Sequence, residues 1–240
     1  MGKEEVIVKE TVEDVTKELA SLVEKEANEA IQSRGKFIIG LSGGSLVNFL
    51  AAGLPTISTD WSLWHVLFCD ERVVPFNSDD STFGVYRRQL KSNGGALPLT
   101  ESQFLCVDPG LDADTAAADY AAKVSALLGP GRAPRCDLLL LGMGPDGHTC
   151  SLFPGHALLS VTDRAVAAIT DSPKPPPARV TLTLPAVNAA RAAVFAMAGA
   201  GKADMVRRVL RDREPLPAAL VQPTDGRLVW ILDQAAAAKL

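Results

Sequence analysis

The stretch LLLLGMGPDGHTCSLFPG, residues 138–155, runs from an apolar segment directly into three glycines spaced as GxGxxG. Four consecutive leucines predict a buried strand, and glycines directly after a strand predict a sharp turn at the edge of a sheet. The same glycine spacing occurs in the dinucleotide-binding fingerprint. The stretch therefore leaves two alternatives, a nucleotide cradle or a loop that presents Asp146 and His148 to a ligand.

Similar apolar runs recur along the chain and predict the rest of the sheet. Helical patterns separate many of them, for example over residues 12–31, 114–128 and 202–210. This alternation is typical of a parallel sheet covered by helices on both faces. We predict an α/β fold with an open, mainly parallel, Rossmann-like sheet, built as a single domain over residues 1–240. The predicted strands lie at residues 36–41, 64–69, 136–142, 165–170, 179–184, 192–199 and 227–232.

The composition excludes several classes of protein. A hydrophobic content of 47% in 240 residues is enough for a large core, and a formal net charge of -4 gives no general attraction to nucleic acid or to an anionic membrane. No run reaches the roughly 18 apolar residues of a membrane span. The four cysteines form no CxxC pair, which argues against a zinc site and a disulfide scaffold. We therefore predict reduced cysteines, a cytoplasmic location and a small-molecule ligand, and we expect a monomer.

The residues that directly follow each strand are informative, because ligands of open α/β sheets bind outside the carboxyl ends of the strands. The run at 36–41 is followed by Ser42, Gly43, Gly44 and Ser45 and then by a helical pattern. Glycines let the backbone approach a ligand, hydroxyls donate, and a helix N-terminus offers free N–H groups. We predict an anion site here, with an ordinary glycine-rich turn and a serine N-cap as the alternative.

Charged residues follow other strands in the same way. Asp70 and Arg72 come after the run that ends at residue 69, and a guanidinium can hold an anion with two parallel hydrogen bonds. Arg179 opens a strand after the stiff segment SPKPPPAR, and Lys202 lies at a predicted helix start, where the dipole disfavours a cation. Each alone could be a solvated surface charge. Together with residues 42–45 they predict one cationic patch.

The glycine-rich loop itself favours catalysis over nucleotide binding. A dinucleotide site needs a helix after the glycines, but Pro154 interrupts any such helix, and Asp146 would repel a pyrophosphate. Histidine can act as a general base near neutral pH, and a nearby carboxylate can orient it. We therefore predict His148 and Asp146 as the catalytic residues. We interpret His65 as a packed strand residue and His156 as a loop residue.

Five motifs, in order along nearly the whole chain, resemble the 6-phosphogluconolactonases, in the larger group that includes the glucosamine-6-phosphate deaminases. They are LSGGS, CDER, LLLLGMGPDGHTCSLFPG, PPPARVTLTL and GAGKADMV. The third is far more specific than its glycines alone, and Cys150 stands in it where alanine is common. The deaminases carry a glutamate a few residues after the loop histidine, whereas TCSLFPG contains no acid. Deaminase activity is therefore the weaker alternative.

The resemblance implies hydrolysis of 6-phospho-D-glucono-1,5-lactone to 6-phospho-D-gluconate, the second step of the oxidative pentose phosphate pathway, without a metal or an organic cofactor. His148 would activate water, and Asp146 would stabilise the imidazolium or contact the sugar. A sugar-6-phosphate isomerase, a non-catalytic sugar-phosphate sensor and a nucleophilic Ser45 remain alternatives. The residues that we expect to bind the substrate and its phosphate are Ser42, Gly43, Gly44, Ser45, Asp70, Arg72, Gly144, Arg179 and Lys202.

Overall fold

The computed structural model describes residues 3–91, 97–129 and 135–240. At the centre of the fold lies a seven-stranded parallel sheet. Its strands are β1 (Lys3–Lys9), β2 (Phe37–Leu41), β3 (Trp64–Phe68), β5 (Phe104–Leu105), β6 (Leu138–Leu141), β9 (Ala192–Met197) and β10 (Arg227–Asp233). They are ordered β1-β10-β9-β6-β2-β3-β5, and every neighbouring pair is parallel. The four-leucine run thus forms β6 in the middle of the sheet, with all four residues buried.

Helices cover both faces of this sheet. They are α1 (Val12–Arg34), α2 (Leu46–Gly53), α3 (Thr82–Lys91), α4 (Ala113–Leu128), α5 (Leu184–Asn188), α6 (Ala203–Val206) and α7 (Gln234–Ala237). Alternate residues of β2 belong to two separate cores: Phe37 and Ile39 pack with Val15 of α1, and Ile38 packs with Tyr120 of α4. The predicted fold class is confirmed.

A second, three-stranded antiparallel sheet corrects part of the sequence prediction. Its order is β4-β8-β7, with β4 (Asp70–Arg72), β7 (Val166–Ile169) and β8 (Arg179–Leu182). The runs at 165–170 and 179–184 are strands as predicted, but they pair with each other and with β4 and not with the parallel sheet. An apolar run reports burial and carries no information about its partner strand.

Two further differences have local causes. The sequence pattern missed β1, because this edge strand is mostly exposed and carries charges, with Val6 and Val8 on its surface. The predicted helix at 202–210 is irregular: a 3₁₀ turn over Ala200–Lys202 leads into α6 and then into a π-helical turn over Arg207–Arg211. The first turns of this segment therefore lie beside the sheet edge and not along one straight helix.

The cysteines agree with the prediction of reduced packing residues. All four are free, and Cys69, Cys136 and Cys150 are buried while Cys106 is half-buried. In the part of the chain that the structure describes, no helix is long and apolar enough to cross a bilayer.

Candidate active site

A cavity opens at the carboxyl ends of β2, β6 and β9, the sheet edge at which the sequence predicts a ligand. His148 and every residue predicted to bind the substrate line it, whereas Asp146 lies outside the lining and contacts the imidazole. The sequence did not predict the other lining residues, which come from several elements. The predicted residues in the wall are Ser42, Gly43, Gly44, Ser45, Asp70, Arg72, Gly144, His148, Arg179 and Lys202, and the further ones are Leu46, Thr82, Gly142, Met143, Cys150, Ala196 and Met197.

The glycine-rich loop closes on itself directly after β6. The backbone N–H of Gly144 donates to the carbonyl of His148 at 2.9 Å, and that of Gly147 donates to the carbonyl of Gly144 at 3.0 Å. Gly147 has φ +81°, a left-handed conformation that favours glycine. The next helical segment is a 3₁₀ turn at Ala157–Ser160, so no α-helix begins directly after the glycines as the dinucleotide fingerprint requires, and the dinucleotide alternative is wrong.

The side chains of Asp146 and His148 meet in this loop. Oδ1 of Asp146 lies 2.5 Å from Nδ1 of His148, and the imidazole packs against the ring of Phe153 at 4.7 Å between centroids. An ionised carboxylate only accepts hydrogen bonds, so Nδ1 carries the proton and the lone pair of neutral His148 lies on Nε2. The loop therefore presents an oriented imidazole that can accept a proton at Nε2.

Lys174, which the sequence did not single out, completes the cluster. Its Nζ lies 3.1 Å from Oδ1 of Asp146 and 3.2 Å from Nδ1 of His148. The residue belongs to the proline-rich segment 172–179, where the only signal was a lysine inside a stiff loop that precedes a predicted strand. Its contact with the catalytic pair spans 26 and 28 residues of sequence, which no local pattern reports.

Both acid–base groups are in the protonation states that base catalysis needs at neutral pH. Burial lowers the pKa of His148, and the cation of Lys174 adds to this against the opposing effect of Asp146. Burial alone would raise the pKa of Asp146, but the hydrogen bonds from His148 and Lys174 outweigh it and lower that pKa to about 2. The imidazole is therefore neutral and the carboxylate ionised.

Two cavity-lining residues carry buried polar atoms that no described group satisfies. Nε of Arg72 and Oγ of Ser42 have no hydrogen-bond partner, although Nη1 of Arg72 donates to the carbonyl of Asp80 at 2.8 Å. Buried donors without partners are costly, which makes these two atoms candidates for contacts with a ligand. Lys202 adds a third cationic or donor group, with Nζ 2.7 Å from the carbonyl of Met143 and a pKa lowered by burial and by Lys174.

The SGGS turn is shaped for a ligand and not as a serine cap. Gly44 has φ +75°, and Ser45 is already in the helical region at the start of α2, with no capping hydrogen bond from its side chain. The alternative of a serine N-cap is therefore wrong. The N–H groups of Val47 and Asn48 donate to the carbonyls of Gly44 and Ser45 at 3.2 and 3.1 Å, and the positive end of the α2 dipole lies at the cavity, where Ser45 and Leu46 line the wall.

Arg179 lines the cavity, but its guanidinium donates hydrogen bonds to backbone carbonyls of its own loop. Nε donates to the carbonyl of Pro176 at 2.9 Å, and Nη2 donates to the carbonyls of Lys174 and Pro175 at 2.8 and 3.1 Å. Its guanidinium also lies over the ring of Phe153 at 5.7 Å. Arg179 therefore fixes the backbone beside the catalytic pair, in addition to adding positive charge to the cavity.

Asp70 ties the antiparallel sheet to the glycine-rich loop. Its Oδ2 accepts a hydrogen bond from the buried Oγ of Ser151 at 2.8 Å, and the residue also lines the cavity. Ser151 comes three residues after His148, so this bond holds the loop against β4, the strand that carries Arg72. The geometry joins the base and the cationic patch in one rigid unit.

The two other histidines have the local roles that the sequence predicts. His65 is half-buried in β3, and burial lowers its pKa. His156 accepts from the backbone N–H of Leu158 at 3.1 Å and bonds Asp171 at 3.0 Å, so it caps a short turn. Among the described residues, no group of three or more His, Cys, Asp or Glu side chains is arranged to hold a metal ion.

A sequence profile described as glucosamine-6-phosphate isomerases/6-phosphogluconolactonase matches residues 10–230. The chain belongs to this family. It is 51% identical to the 6-phosphogluconolactonase of Rattus norvegicus over 226 residues, which cover 91% of this chain and 87% of the rat protein. Identity to the Homo sapiens 6-phosphogluconolactonase is also 51%, over 227 residues, with the same coverage.

Members of the family with solved structures share the whole architecture. The 6-phosphogluconolactonase from Trypanosoma cruzi superposes with a TM-score of 0.85 at 25% sequence identity, over 100% of this chain and 98% of that chain. The fold of this chain is therefore one that this family uses.

Proposed function

We propose that the chain hydrolyses 6-phospho-D-glucono-1,5-lactone to 6-phospho-D-gluconate, the second step of the oxidative pentose phosphate pathway. The similarity to 6-phosphogluconolactonases over nine-tenths of the chain supports this activity. The observation that carries the mechanism is the pairing of His148 with Asp146 in a cavity whose wall also holds Arg72 and Lys202. One cavity thus contains a neutral base and cations for a phosphate.

His148 acts as the general base. Nε2 takes a proton from water while the water oxygen forms a bond to C1 of the lactone, and the carbonyl becomes a tetrahedral oxyanion. Asp146 stabilises the imidazolium that results. When the oxyanion collapses, the bond between C1 and the ring oxygen breaks, and the imidazolium returns its proton to that oxygen, which leaves as the 5-hydroxyl. Base assistance of this kind contributes about 10² to 10⁴ in rate.

The 6-phosphate binds at the cations of the cavity wall. Arg72, Lys202 and the hydroxyl of Ser42 provide charge and hydrogen bonds, and the backbone N–H groups at the start of α2 add the positive end of the helix dipole. Because this contact is remote from the reacting carbon, its binding energy positions the lactone at the base. Asp70 and Gly144 contact the sugar between the two ends.

A sugar-phosphate isomerase or deaminase is the alternative activity. Ring opening by a deaminase uses an acid near the loop histidine, and residues 149–155 contain no carboxylate. A non-catalytic sensor is the second alternative, but a sensor has no use for an oriented neutral imidazole. Neither alternative is favoured by an observation of its own.

The test is a coupled assay. Fresh lactone is supplied, and 6-phosphogluconate is followed above the spontaneous hydrolysis rate with wild-type protein and with His148→Ala. We expect a large excess rate that the variant loses. No excess rate with folded wild-type protein contradicts the proposal, and release of ammonia from glucosamine 6-phosphate in a parallel assay supports the alternative.

We also propose that the protein acts as a single-domain monomer in the cytoplasm, with no nucleic-acid partner. The four free cysteines suit a reducing compartment, and the formal net charge of -4 disfavours association with nucleic acid. Light scattering on the purified chain measures the oligomeric state directly, and a dimer mass at micromolar concentration contradicts the monomer.

A further inference from the structure

Lys174 and His148 share one acceptor. Oδ1 of Asp146 lies 2.5 Å from Nδ1 of His148 and 3.1 Å from Nζ of Lys174. The three side chains are of similar, partial accessibility, with exposed fractions of 37%, 17% and 35% for Asp146, His148 and Lys174. The carboxylate is therefore the centre of a small cluster in which two potential cations compete for one anion.

The contact between Lys174 and His148 is one of charge and not a hydrogen bond. Nζ lies 3.2 Å from Nδ1. Since Nδ1 carries a proton that it donates to Asp146, it has no lone pair to accept from an ammonium group, which can only donate. When His148 takes a second proton at Nε2, two positive charges lie side by side on one carboxylate, and like charges at this distance disfavour the protonated imidazole.

The backbone of Lys174 is anchored by hydrogen bonds within its own loop. The carbonyl of Lys174 accepts hydrogen bonds from Nη2 of Arg179 at 2.8 Å and from Oγ of Ser172 at 2.9 Å, and its N–H donates to the same Oγ at 3.2 Å. Arg179 also holds the carbonyls of Pro175 and Pro176. The backbone from which the Lys174 side chain extends to Asp146 is thus fixed by its own loop and by Arg179 at the start of β8.

Other charges near His148 do not replace this cation. Asp70, on the antiparallel sheet, favours the protonated imidazole as Asp146 does. The guanidinium of Arg179 lies over the ring of Phe153, against which the imidazole also packs, and it donates to the carbonyls of Lys174, Pro175 and Pro176. Cys150 of the same loop, also in the cavity wall, carries no charge as a thiol. Lys202, also in the cavity wall, donates to the carbonyl of Met143 at 2.7 Å, whereas Lys174 is in direct contact with Asp146 and His148.

We propose that Lys174 is a positioning residue that neutralises Asp146 and so keeps Nε2 of His148 free to accept a proton below neutral pH. This inference rests on the proposed function, in which His148 is the base. Lys174 itself touches neither the attacking water nor the phosphate. Its effect is on the fraction of enzyme whose base is unprotonated.

Neutral variants of Lys174 test this directly. In Lys174→Met the uncompensated carboxylate should raise the pKa of His148 by about one unit. The same shift should appear twice, in the histidine proton resonances of an NMR titration, assigned with His148→Asn, and in the acid limb of kcat/KM. At pH values well below the pKa the activity should fall roughly tenfold, while the plateau at higher pH stays within about threefold. Lys174→Arg, which keeps the charge, should retain the wild-type midpoint.

Lys123→Met is the matched control. Lys123 is paired with Asp119 at 2.6 Å, and the exposed fractions of this pair, 39% and 36%, are nearly those of Lys174 and Asp146. It lies on α4 away from the cavity wall, so its loss should move neither the NMR midpoint nor the pH profile. Lys174→Gln is the second neutral variant. If Lys174→Met does not fold, the pKa of His148 measured by NMR in Lys174→Gln takes its place.

The outcomes separate this inference from the proposed function. An unchanged His148 midpoint in both neutral variants overturns the role of Lys174, as does a loss of activity that is equal at every pH. A wild-type protein with no lactonase activity overturns the proposed function, but the NMR midpoint still measures what Lys174 does to His148.

Discussion

The imidazole of His148 lies directly against the Cα of Gly144. A Cβ atom on Gly144 would come within 2.0 Å of both Nδ1 and Cε1 of the ring and within 2.8 Å of Oδ1 of Asp146. No side chain fits there without displacing the base. The second glycine of the loop is therefore required by close packing against the catalytic pair, which is a different reason from the left-handed φ that Gly147 needs.

Gly144→Ala should consequently inactivate the protein without unfolding it. Moving the imidazole out of position removes its assistance, so we expect kcat to fall by about 10² or more. Circular dichroism should be unchanged, because the φ of Gly144 is an ordinary one. Gly201→Ala is the control, since a Cβ there meets nothing within 4 Å. Full activity of Gly144→Ala would show that the position of the His148 imidazole does not matter for the reaction.

His148→Ala should lower kcat by about 10² to 10⁴ and leave KM nearly unchanged. In the wild type, the acid limb of kcat/KM should have its midpoint below the ordinary histidine value, because burial lowers the pKa of His148 and protonation removes the base. A stopped assay between pH 5 and 8 measures both. His156→Ala, which alters a histidine outside the cavity wall, should keep the wild-type profile. A midpoint above 6.5 would assign the limb to another group.

Loss of a phosphate contact should appear in KM. A hydrogen bond to a charged group contributes about 1.5–3 kcal/mol, so Arg72→Gln and Lys202→Met should each raise KM for the phosphorylated lactone by about 10- to 150-fold. Glucono-1,5-lactone without the phosphate should be hydrolysed equally by wild type and variants. Arg164→Gln, at a surface pair with Asp163, serves as the control. Equal losses on both lactones would place these cations elsewhere on the substrate.

Glu71, which precedes the cavity-lining Arg72, should contribute strongly to the free energy of unfolding. Its carboxylate is buried and accepts the backbone N–H groups of Arg72, Thr82 and Phe83, each at 2.7 Å. Glu71→Gln replaces one acceptor oxygen with a donor and leaves a buried N–H unpaired, which costs about 1–3 kcal/mol. Urea unfolding measures the change in the free energy of unfolding.

Glu13→Gln provides the comparison for that measurement. Glu13 pairs with Lys17 on the exposed face of α1, and its side chain is 75% exposed. A surface substitution of this kind should change the free energy of unfolding by less than about 0.5 kcal/mol. If both variants lose the same stability, the buried carboxylate has no special role.

Acid should destabilise the folded chain through the catalytic pair. The pKa of Asp146 is lowered to about 2 and that of His148 is lowered from its ordinary value, so both groups bind fewer protons in the native state than in the unfolded state. Their stabilising contribution is complete above the unfolded-state pKa values and is lost as pH falls through the folded-state ones. In Asp146→Asn, the free energy of unfolding between pH 5 and 2 should decline less steeply than in the wild type. Parallel curves would contradict this.

The sequence predicted those strands whose two faces are both buried. Central strands such as β6 and β9 are continuous apolar runs, because helices cover each face. The same criterion missed β1, which is an edge strand with charged residues. Burial also led us to assign β7 and β8 to the parallel sheet, because an apolar run does not indicate which strand it pairs with.

The sequence motif was enough to predict that Asp146 and His148 lie together on a glycine-rich loop. Asp146 and His148 are two residues apart in a turn closed by its own backbone hydrogen bonds, so their meeting is a local property that a motif can express. The contact of Lys174 with this pair could not be predicted in the same way, because it spans 26 and 28 residues of sequence. The bonds from Arg179 to the backbone of Lys174 are local to the loop after β7, but the approach of that loop to Asp146 depends on how the two sheets pack against each other.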